Sequence, residues 1–196
     1  MNSASAASPA LPRAQSAFLR WPLTVVLGSL FVAVCAHLSF PLWFTPVPIT
    51  LQPFAVLLLG LLLSPSAAAG ALVLYLIEGT SGLPVFTPHG PGGMLQLLGP
   101  TGGYLLSYPF AAALTAWLRT RIARGAFTPA LLAAAVGSAL ILLGGAAWFW
   151  LQPGVHTHRS LTAVLILSVL PFLPGDILKV FAAAGIATGL RRFRRS

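Results

Sequence analysis

Charge is scarce in this sequence of 196 residues: Asp, Glu, Lys and Arg together make up 7% of it, whereas an ordinary soluble domain has about 25%. Only two residues are acidic, while 57% are hydrophobic. So few polar side chains cannot cover a surface that faces water, which excludes a soluble globular domain. The mean hydropathy of +0.90 is typical of a protein that crosses a membrane several times.

The shortage of acids and thiols also narrows the chemistry. Cys35 is the only cysteine, so no intrachain disulfide can form. Glu78 and Asp176 are the only side-chain carboxylates that could act as acid or base, and we therefore expect neither enzyme activity nor a cofactor. The histidines have no acidic or thiol ligand at a suitable spacing, so no metal site is expected; they are His37, His89, His156 and His158.

Basic residues dominate the remaining charge and give the chain a net charge of +9. They fall in short clusters between apolar runs, and no basic face with interleaved aromatic residues is present to follow a phosphate backbone. The pattern predicts contact with a lipid bilayer and no nucleic-acid partner.

Six apolar segments are candidates to cross the hydrocarbon core, which takes about 20 helical residues, or fewer where neighbouring helices shield the segment. They are residues 21–40, 50–63, 66–79, 102–119, 128–150 and 161–190, the last interrupted by Pro171 and Pro174. We therefore predict an all-α, polytopic membrane protein with six transmembrane helices. Its parts would be a disordered tail over 1–19, a membrane domain over 20–190 and a basic tail over 191–196.

The positions of lysine and arginine predict the orientation. Nine of the eleven lie in the N-terminal tail, after the fourth segment or at the C-terminus. Because the side richer in these residues faces the cytoplasm, both termini should be cytoplasmic, as in a multi-pass protein of a bacterial cell membrane. The longer connections, 41–49, 80–101 and 151–160, then lie outside. Their Pro, Gly and aromatic residues are expected either to fold over the helix ends as a lid or to anchor the chain at the headgroups.

The stretch PFLPGDILK, which ends at Lys179, combines a helix break with two charges at membrane depth. Its prolines should end one helix, and a new helix should begin near Gly175 with unpaired N–H groups. Asp176 and Lys179 would share a face of its first turn. This suits a small molecule with N–H donors and a carboxylate: Lys179 and the helix end would hold the anion, and Asp176 would accept the N–H groups. A structural ion pair in the bundle is the alternative.

Other candidate residues are also open to two interpretations. Glu78 ends the third segment and could accept a hydrogen bond from a ligand or tie the next loop to a backbone amide. GPTGGY over 99–104 opens the fourth segment, where glycines allow close approach of a ligand or a helix. It lacks the Gly-Lys-Ser/Thr of a phosphate loop, so no ATP hydrolysis is expected. Ser29 and Ala33 form a small-residue stripe that could dock a partner or pack within the chain.

Five blocks of the sequence together resemble one family. They are AHLSFPL (36–42), TPVPITLQ (45–52), GLPVF (82–86), GPTGGYL (99–105) and PFLPGDILK (171–179). Their order and spacing are similar to those of the BioY family, the biotin-binding S components of energy-coupling-factor (ECF) transporters. The likeness covers about residues 21–190.

The resemblance implies a six-helix protein that binds biotin near the outer face, beneath its external loops. Import would be driven by a separate ATPase pair and a transmembrane coupling protein, which dock on the first helix through small residues, here Ser29 and Ala33. The family's Asp and Lys correspond to Asp176 and Lys179. The other binding residues that it implies lie in the outer loops and at the start of the fourth segment: Thr45, Gly82, Phe86, Thr101, Gly102 and Tyr104. The residues themselves add Trp43 of the first outer loop and Glu78 at the end of the third segment as candidates.

Some positions depart from the family pattern. His37 stands where a Gln is expected, and contacts to the ureido carbonyl of biotin could come from Thr87, His89 or Gln96. An S component for another vitamin would share the architecture without the Pro-Gly-Asp-x-x-Lys turn. An intramembrane enzyme or assembly factor would need more acid, base or metal-binding groups than this sequence contains. Self-association is a further alternative to an ATPase-driven complex.

Overall fold

A computed structural model describes residues 13–122, 127–152 and 160–193, with side chains from Arg20 onward. This part of the chain forms eight helices and one two-stranded hairpin. In chain order they are α1 (Arg13–His37), β1 (Ser39–Leu42), β2 (Thr45–Thr50), α2 (Gln52–Leu62), α3 (Pro65–Thr80), α4 (Gly93–Leu98), α5 (Gly102–Arg121), α6 (Phe127–Leu151), α7 (Leu161–Ser168) and α8 (Leu173–Phe193).

The described chain is mainly helical, as predicted. Helices α1, α2, α3, α5 and α6 correspond to the first five apolar segments, and α7 with α8 to the interrupted sixth. Helix α1 begins at Arg13, inside the expected tail, because residues 13–21 contain neither Pro nor Gly. Helix α8 runs on to Phe193, into the expected basic tail. Residues 1–12, Arg124, the loop 153–159 with its two histidines and Arg159, and residues 194–196 lie outside the described residues.

Three segments of the described chain are long and apolar enough to cross a bilayer: Arg20–His37, Phe127–Leu151 and Leu173–Phe193. Helix α2 is apolar but has only 11 residues, a length of about 16 Å at 1.5 Å per residue, which is half of the hydrocarbon thickness. It lies at the centre of the bundle, in contact with α1, α3, α5, α6 and α8. Its neighbours therefore surround this short apolar helix on several sides.

The first outer connection, expected to be a loop, contains the β1–β2 hairpin. The strands are antiparallel and pair Ser39 with Thr50 and Leu42 with Thr45. β-branched residues recur at alternate positions of TPVPIT, which favours an extended strand. Thr45 and Val47 are buried. The hairpin thus lies over the bundle with one side of β2 turned inward, a strand signal that two prolines in six residues obscured.

Two apolar clusters hold the bundle together. One gathers the C-terminal part of α1, α3, the first half of α5 and the second half of α6 beneath β2. The other joins α2, the first half of α6 and the second half of α8 at the end remote from the hairpin. Helix α2 contributes to both clusters, so it links the two halves of the core.

The small residues of α1 are turned into this core. Ser29 is fully buried and Ala33 is buried. The Ser29 hydroxyl donates a hydrogen bond to the carboxylate of Glu78 on α3, and α1 packs along α3. Of the two interpretations open for this stripe, packing within the chain is seen in the described residues, because small side chains let α1 and α3 approach closely.

Candidate binding site

A cavity of about 540 Å³, including its mouth, lies between the hairpin and the helices. Its lining comes from β2, α2, the segment after α3, α4, α5, α6 and the start of α8: Val47, Pro48, Thr50, Gln52, Pro53, Phe86, Thr87, Gln96, Thr101, Tyr104, Leu105, Tyr108, Ile141, Leu142, Phe172, Asp176 and Lys179. Aliphatic and aromatic walls with a few polar groups suit a small, largely apolar ligand.

One ion pair lies on this lining. Lys179 Nζ is 2.9 Å from Asp176 Oδ1, and the side chains are 11% and 6% exposed. They are three residues apart on α8, so they lie on one face of the helix. A pair with so little solvent exposure offers one acceptor and one charged donor to a ligand.

The start of α8 differs from the expectation in one respect. The helix begins at Leu173, two residues before Gly175, and the Asp176 N–H donates to the Phe172 carbonyl at 2.8 Å. Proline is tolerated in the first helical turn because its missing N–H has no partner there in any case, so Pro174 lies within the helix. The amide of Asp176 is therefore engaged, and the helix end does not supply it as a free donor.

The break between α7 and α8 is held by two residues from elsewhere in the chain. Tyr104, in the first turn of α5, donates its hydroxyl to the Ser168 carbonyl, while its ring meets the ring of Phe172 edge-on at 6.2 Å between centroids. Thr45 of β2 donates its hydroxyl to the Leu167 carbonyl at 2.9 Å. The last carbonyls of a helix lack partners within it, so these bonds satisfy them and fix the position at which α8 starts.

A second set of bonds positions Phe86 at the cavity. Gln52 Nε2 donates to the Tyr75 hydroxyl at 2.5 Å, which donates in turn to the Val85 carbonyl at 3.1 Å. The rings of Tyr75 and Phe86 meet edge-on at 5.3 Å between centroids. Gly79 lies beneath Phe86, where a Cβ would be only 2.1 Å from the ring. The loop after α3 is thereby pressed against the bundle.

The outer wall of the cavity contains further polar side chains. Gln96 is 3% exposed, and its Nε2 donates to Thr101 Oγ1 at 2.8 Å. Thr87 donates to Ser39 Oγ at 3.0 Å and so ties this wall to β1. Beyond the wall is an outer cavity of about 360 Å³ that shares Pro48, Thr87, Gln96 and Thr101 with the first and is also lined by His89.

The structure brings together five of the residues singled out from the sequence. Asp176, Lys179, Phe86, Thr101 and Tyr104 all line the first cavity. Thr87 and Gln96, considered as sources of further contacts, also line it.

The other candidates do not line this cavity. Glu78 accepts from Ser29, and Thr45 donates to the end of α7. Trp43 is 95% exposed at the tip of the hairpin. Gly82 has a φ of 92° in the turn after α3, and Gly102 packs its backbone against α4 and α6.

Several residues that line the cavity were not predicted from the sequence. Gln52 had a detectable signal, since it is an amide at the first position of an otherwise apolar helix. No such signal marks Tyr108, Ile141 and Leu142, because aromatic and aliphatic residues within apolar helices cannot be told from ordinary core residues. Among the residues that the structure describes, no three of His, Cys, Asp and Glu lie together as metal ligands would.

Comparison with known proteins gives one family. The BioY family model matches residues 9–196. The chain is 37% identical over 170 residues to the probable biotin transporter BioY of Pyrococcus horikoshii, across 85% of this chain and 95% of that protein. It is 33% identical over 185 residues to the biotin transporter BioY of Rhodobacter capsulatus, across 88% and 95% of the two chains. For the biotin transporter BioY of Thermotoga maritima the identity is 34% over 161 residues, across 82% and 89%.

The fold has a solved counterpart as well. The crystal structure of the S-component for biotin from an ECF-type ABC transporter superposes with a TM-score of 0.81 and 27% sequence identity. The match covers 93% of this chain and 95% of that chain.

Proposed function

The chain belongs to the BioY family, and on that premise we propose that it is the membrane-embedded substrate-binding subunit for biotin uptake. It captures biotin and passes it inward. It is a transport protein and not an enzyme. The observation that carries the proposal is the cavity of about 540 Å³, in which a buried Asp–Lys pair is set in apolar walls.

Biotin offers groups that match this lining. Its ureido ring has two N–H donors and a carbonyl acceptor, the fused sulfur-containing ring is largely apolar, and a carboxylate ends its four-carbon chain. Asp176 accepts a ureido N–H, and Lys179 donates to the ureido carbonyl. The rings of Phe86, Tyr104 and Phe172 cover the apolar part of the ligand. A site built to hydrogen-bond a substrate N–H rejects analogues that lack it, because its own polar groups would stay unpaired.

The distance within the ion pair bears on which end of biotin it meets. The ureido ring and the carboxylate are at opposite ends of an extended molecule, whereas Lys179 Nζ and Asp176 Oδ1 are 2.9 Å apart. In this proposal one compact pair receives one end of the ligand, so we assign Lys179 and Asp176 a shared role at the ureido group. The carboxylate then lies toward the outer wall near Thr87, Gln96 and Thr101, which line both cavities. Contact of Lys179 with the carboxylate is the alternative.

The membrane arrangement is also part of the proposal. The six apolar segments form a multi-pass bundle in the cell membrane with both termini on the cytoplasmic side. The concentration of arginine at the end of α5 and at the end of α8 supports this orientation. The hairpin and the cavity beneath it then face the outside, where biotin enters.

Energy for uptake comes from partners in this proposal. The solved counterpart is the S-component of an ECF-type ABC transporter, and we assign to this chain a transmembrane coupling protein and an ATPase pair of the same kind. Because Ser29 and Ala33 are buried within the chain and Ser29 is bonded to Glu78 of α3, we place the docking surface for these partners elsewhere on the bundle than on the stripe of small residues.

Equilibrium binding to the purified full-length chain tests the function. Titration calorimetry in detergent should give saturable binding of biotin with a stoichiometry of one, and weaker binding of an analogue in which both ureido nitrogens are methylated. Equal binding of both compounds, or none of biotin alongside tight binding of another vitamin, would overturn the proposal. Purification from native membranes, with identification of any ATPase that remains attached, tests the partners separately.

A further inference from the structure

Three donors converge on one backbone carbonyl outside the cavity. The Gly99 carbonyl accepts from Trp148 Nε1 at 3.0 Å, from Gln152 Nε2 at 3.1 Å and from the Gly102 N–H at 3.1 Å. Gln152 Nε2 also donates to the Leu98 carbonyl at 2.7 Å. A carbonyl oxygen has two lone pairs, so three donors more than fill its capacity as an acceptor. The Gly99 carbonyl is therefore a point at which several segments are held together. It joins the end of α4, the start of α5 and the end of α6.

The segment held by this anchor is part of the cavity wall. Gly99 lines the outer cavity, and Thr101, two residues later, lines both cavities. The Thr101 hydroxyl accepts from Gln96 Nε2 at 2.8 Å. The Gly99 carbonyl is therefore two residues away from a side chain that lies between the two cavities. Neither Trp148 nor Gln152 lines either cavity. Both side chains contact this wall through their hydrogen bonds to its backbone.

Close packing fixes the indole at the same point. A Cβ added at Gly103 would lie 2.1 Å from Trp148 Cβ and 2.4 Å from the Gly144 carbonyl oxygen. A Cβ at Gly102 would lie 1.7 Å from the Leu97 carbonyl oxygen. Two glycines at the start of α5 thus let α6 approach until the indole N–H reaches the Gly99 carbonyl. A side chain at either position would push this contact apart.

We propose that Trp148 and Gln152 are positioning residues for the binding site. They act through the Gly99 carbonyl and set the place of Thr101 and Gln96 in the wall next to the ligand. This inference rests on the proposed biotin-binding function, and it assigns a role in affinity to the end of α6, which does not touch the ligand.

Two substitutions remove the donors: Gln152→Leu at nearly the same volume, and Trp148→Phe with a smaller aromatic ring. Each should weaken biotin binding about three- to tenfold, as expected for one lost hydrogen bond that holds a wall in place. The dissociation rate should rise by a similar factor. Trp117→Phe is the matched control, because Trp117 lies near the other end of α5 under Arg121; its binding should equal that of the wild type.

A double-mutant cycle separates positioning from general destabilisation. If Trp148 acts through the Gly99–Thr101 segment, the losses of affinity from Trp148→Phe and Thr101→Val should not add, whereas those from Trp148→Phe and Asp176→Asn should add. Additivity in both cycles, or unchanged affinity in both single variants, would overturn the inference.

Gln152→Leu tests whether a folding defect explains the loss of affinity. Because Gln152 is partly exposed at the end of its helix, this substitution should leave the thermal midpoint near that of the wild type. A loss of affinity that appears only together with a fall in the thermal midpoint of both variants contradicts positioning. Failure of the wild-type chain to bind biotin would contradict the proposed function itself, a result distinct from any of these.

Discussion

Tyr104 and Ser168 are joined by a hydrogen bond between the hydroxyl of one and the backbone carbonyl of the other, across the gap between α5 and the end of α7. The bond secures the point at which the last apolar segment breaks. Asp176 follows one turn into the next helix, and its N–H is bonded to the carbonyl of Phe172, whose ring meets that of Tyr104. The position of the ion pair in the cavity therefore depends on a residue of another helix.

Removing the hydroxyl of Tyr104 should loosen this arrangement. We expect Tyr104→Phe to lower the free energy of unfolding by about 1 kcal/mol, the usual value of one buried hydrogen bond, and to weaken biotin binding in parallel. Denaturant titration in detergent and calorimetry measure the two effects. Ser81→Ala is the control, because the exposed Ser81 hydroxyl donates only within its own helix end. Equal effects of both variants would contradict the special role of Tyr104.

Neutralising Asp176 should reduce binding most. Asp176→Asn replaces a charged acceptor by an amide and leaves Lys179 without its partner in a buried site, so the affinity for biotin should fall about ten- to hundredfold. The chain contains one other acidic residue, Glu78, which lies outside the cavity, and Glu78→Gln is therefore a matched control with affinity near that of the wild type. A comparable loss of affinity in Glu78→Gln would contradict the placement of the ligand site at α8.

Lys179 can be assigned to one end of biotin by an exchange of ligands. Lys179→Met keeps the length and apolar stem of the side chain and removes its charge. If Lys179 serves the ureido carbonyl, the affinity for biotin and for biotin methyl ester should fall by the same factor, about tenfold or more. A loss confined to biotin, with the ester unaffected, would instead show that Lys179 meets the carboxylate.

Gly145 should not tolerate a side chain. A Cβ there would lie 2.1 Å from the Tyr104 ring, and overpacking of this kind costs about 1–3 kcal/mol. We therefore expect Gly145→Ala to lower the thermal midpoint and to weaken biotin binding, because the ring of Tyr104 lines the cavity. Gly185→Ala is the control: among the described residues, a Cβ added there would meet no heavy atom within 4 Å beyond its chain neighbours and its own helix backbone, and alanine favours the helix. A thermal midpoint unchanged in Gly145→Ala would contradict the packing described.

Much of the helical fold follows from the sequence, since apolar runs in a chain with few charges have few other solutions. The bounds of α2, α3, α5 and α6 differ from the expected segments by at most two residues at either end. The hairpin was not predicted, because prolines at alternate positions mask a strand that is recognised only once the bundle beneath it exists. Nor could the direction of the Ser29 stripe be predicted: a row of small residues predicts close packing, but it does not identify the partner.

The candidate site was predictable where charge or backbone chemistry is unusual, as at Asp176 and Lys179. It was not predictable where ordinary core residues line a cavity, as at Ile141 and Leu142. Trp148 and Gln152 belong to a third kind. Their effect passes through a backbone carbonyl of another helix, and no local pattern of residues contains that information.

The prolines of the hairpin have a consequence for the protein in a crowded membrane. Within the described part of the chain, strand β2 has only β1 as a hydrogen-bonded neighbour, and an unpaired strand edge can recruit a strand from another molecule. Pro46 and Pro48 lack the N–H groups that such a neighbour would need. The two prolines that make the strand resemble a loop in the sequence therefore also protect the hairpin from edge-to-edge aggregation.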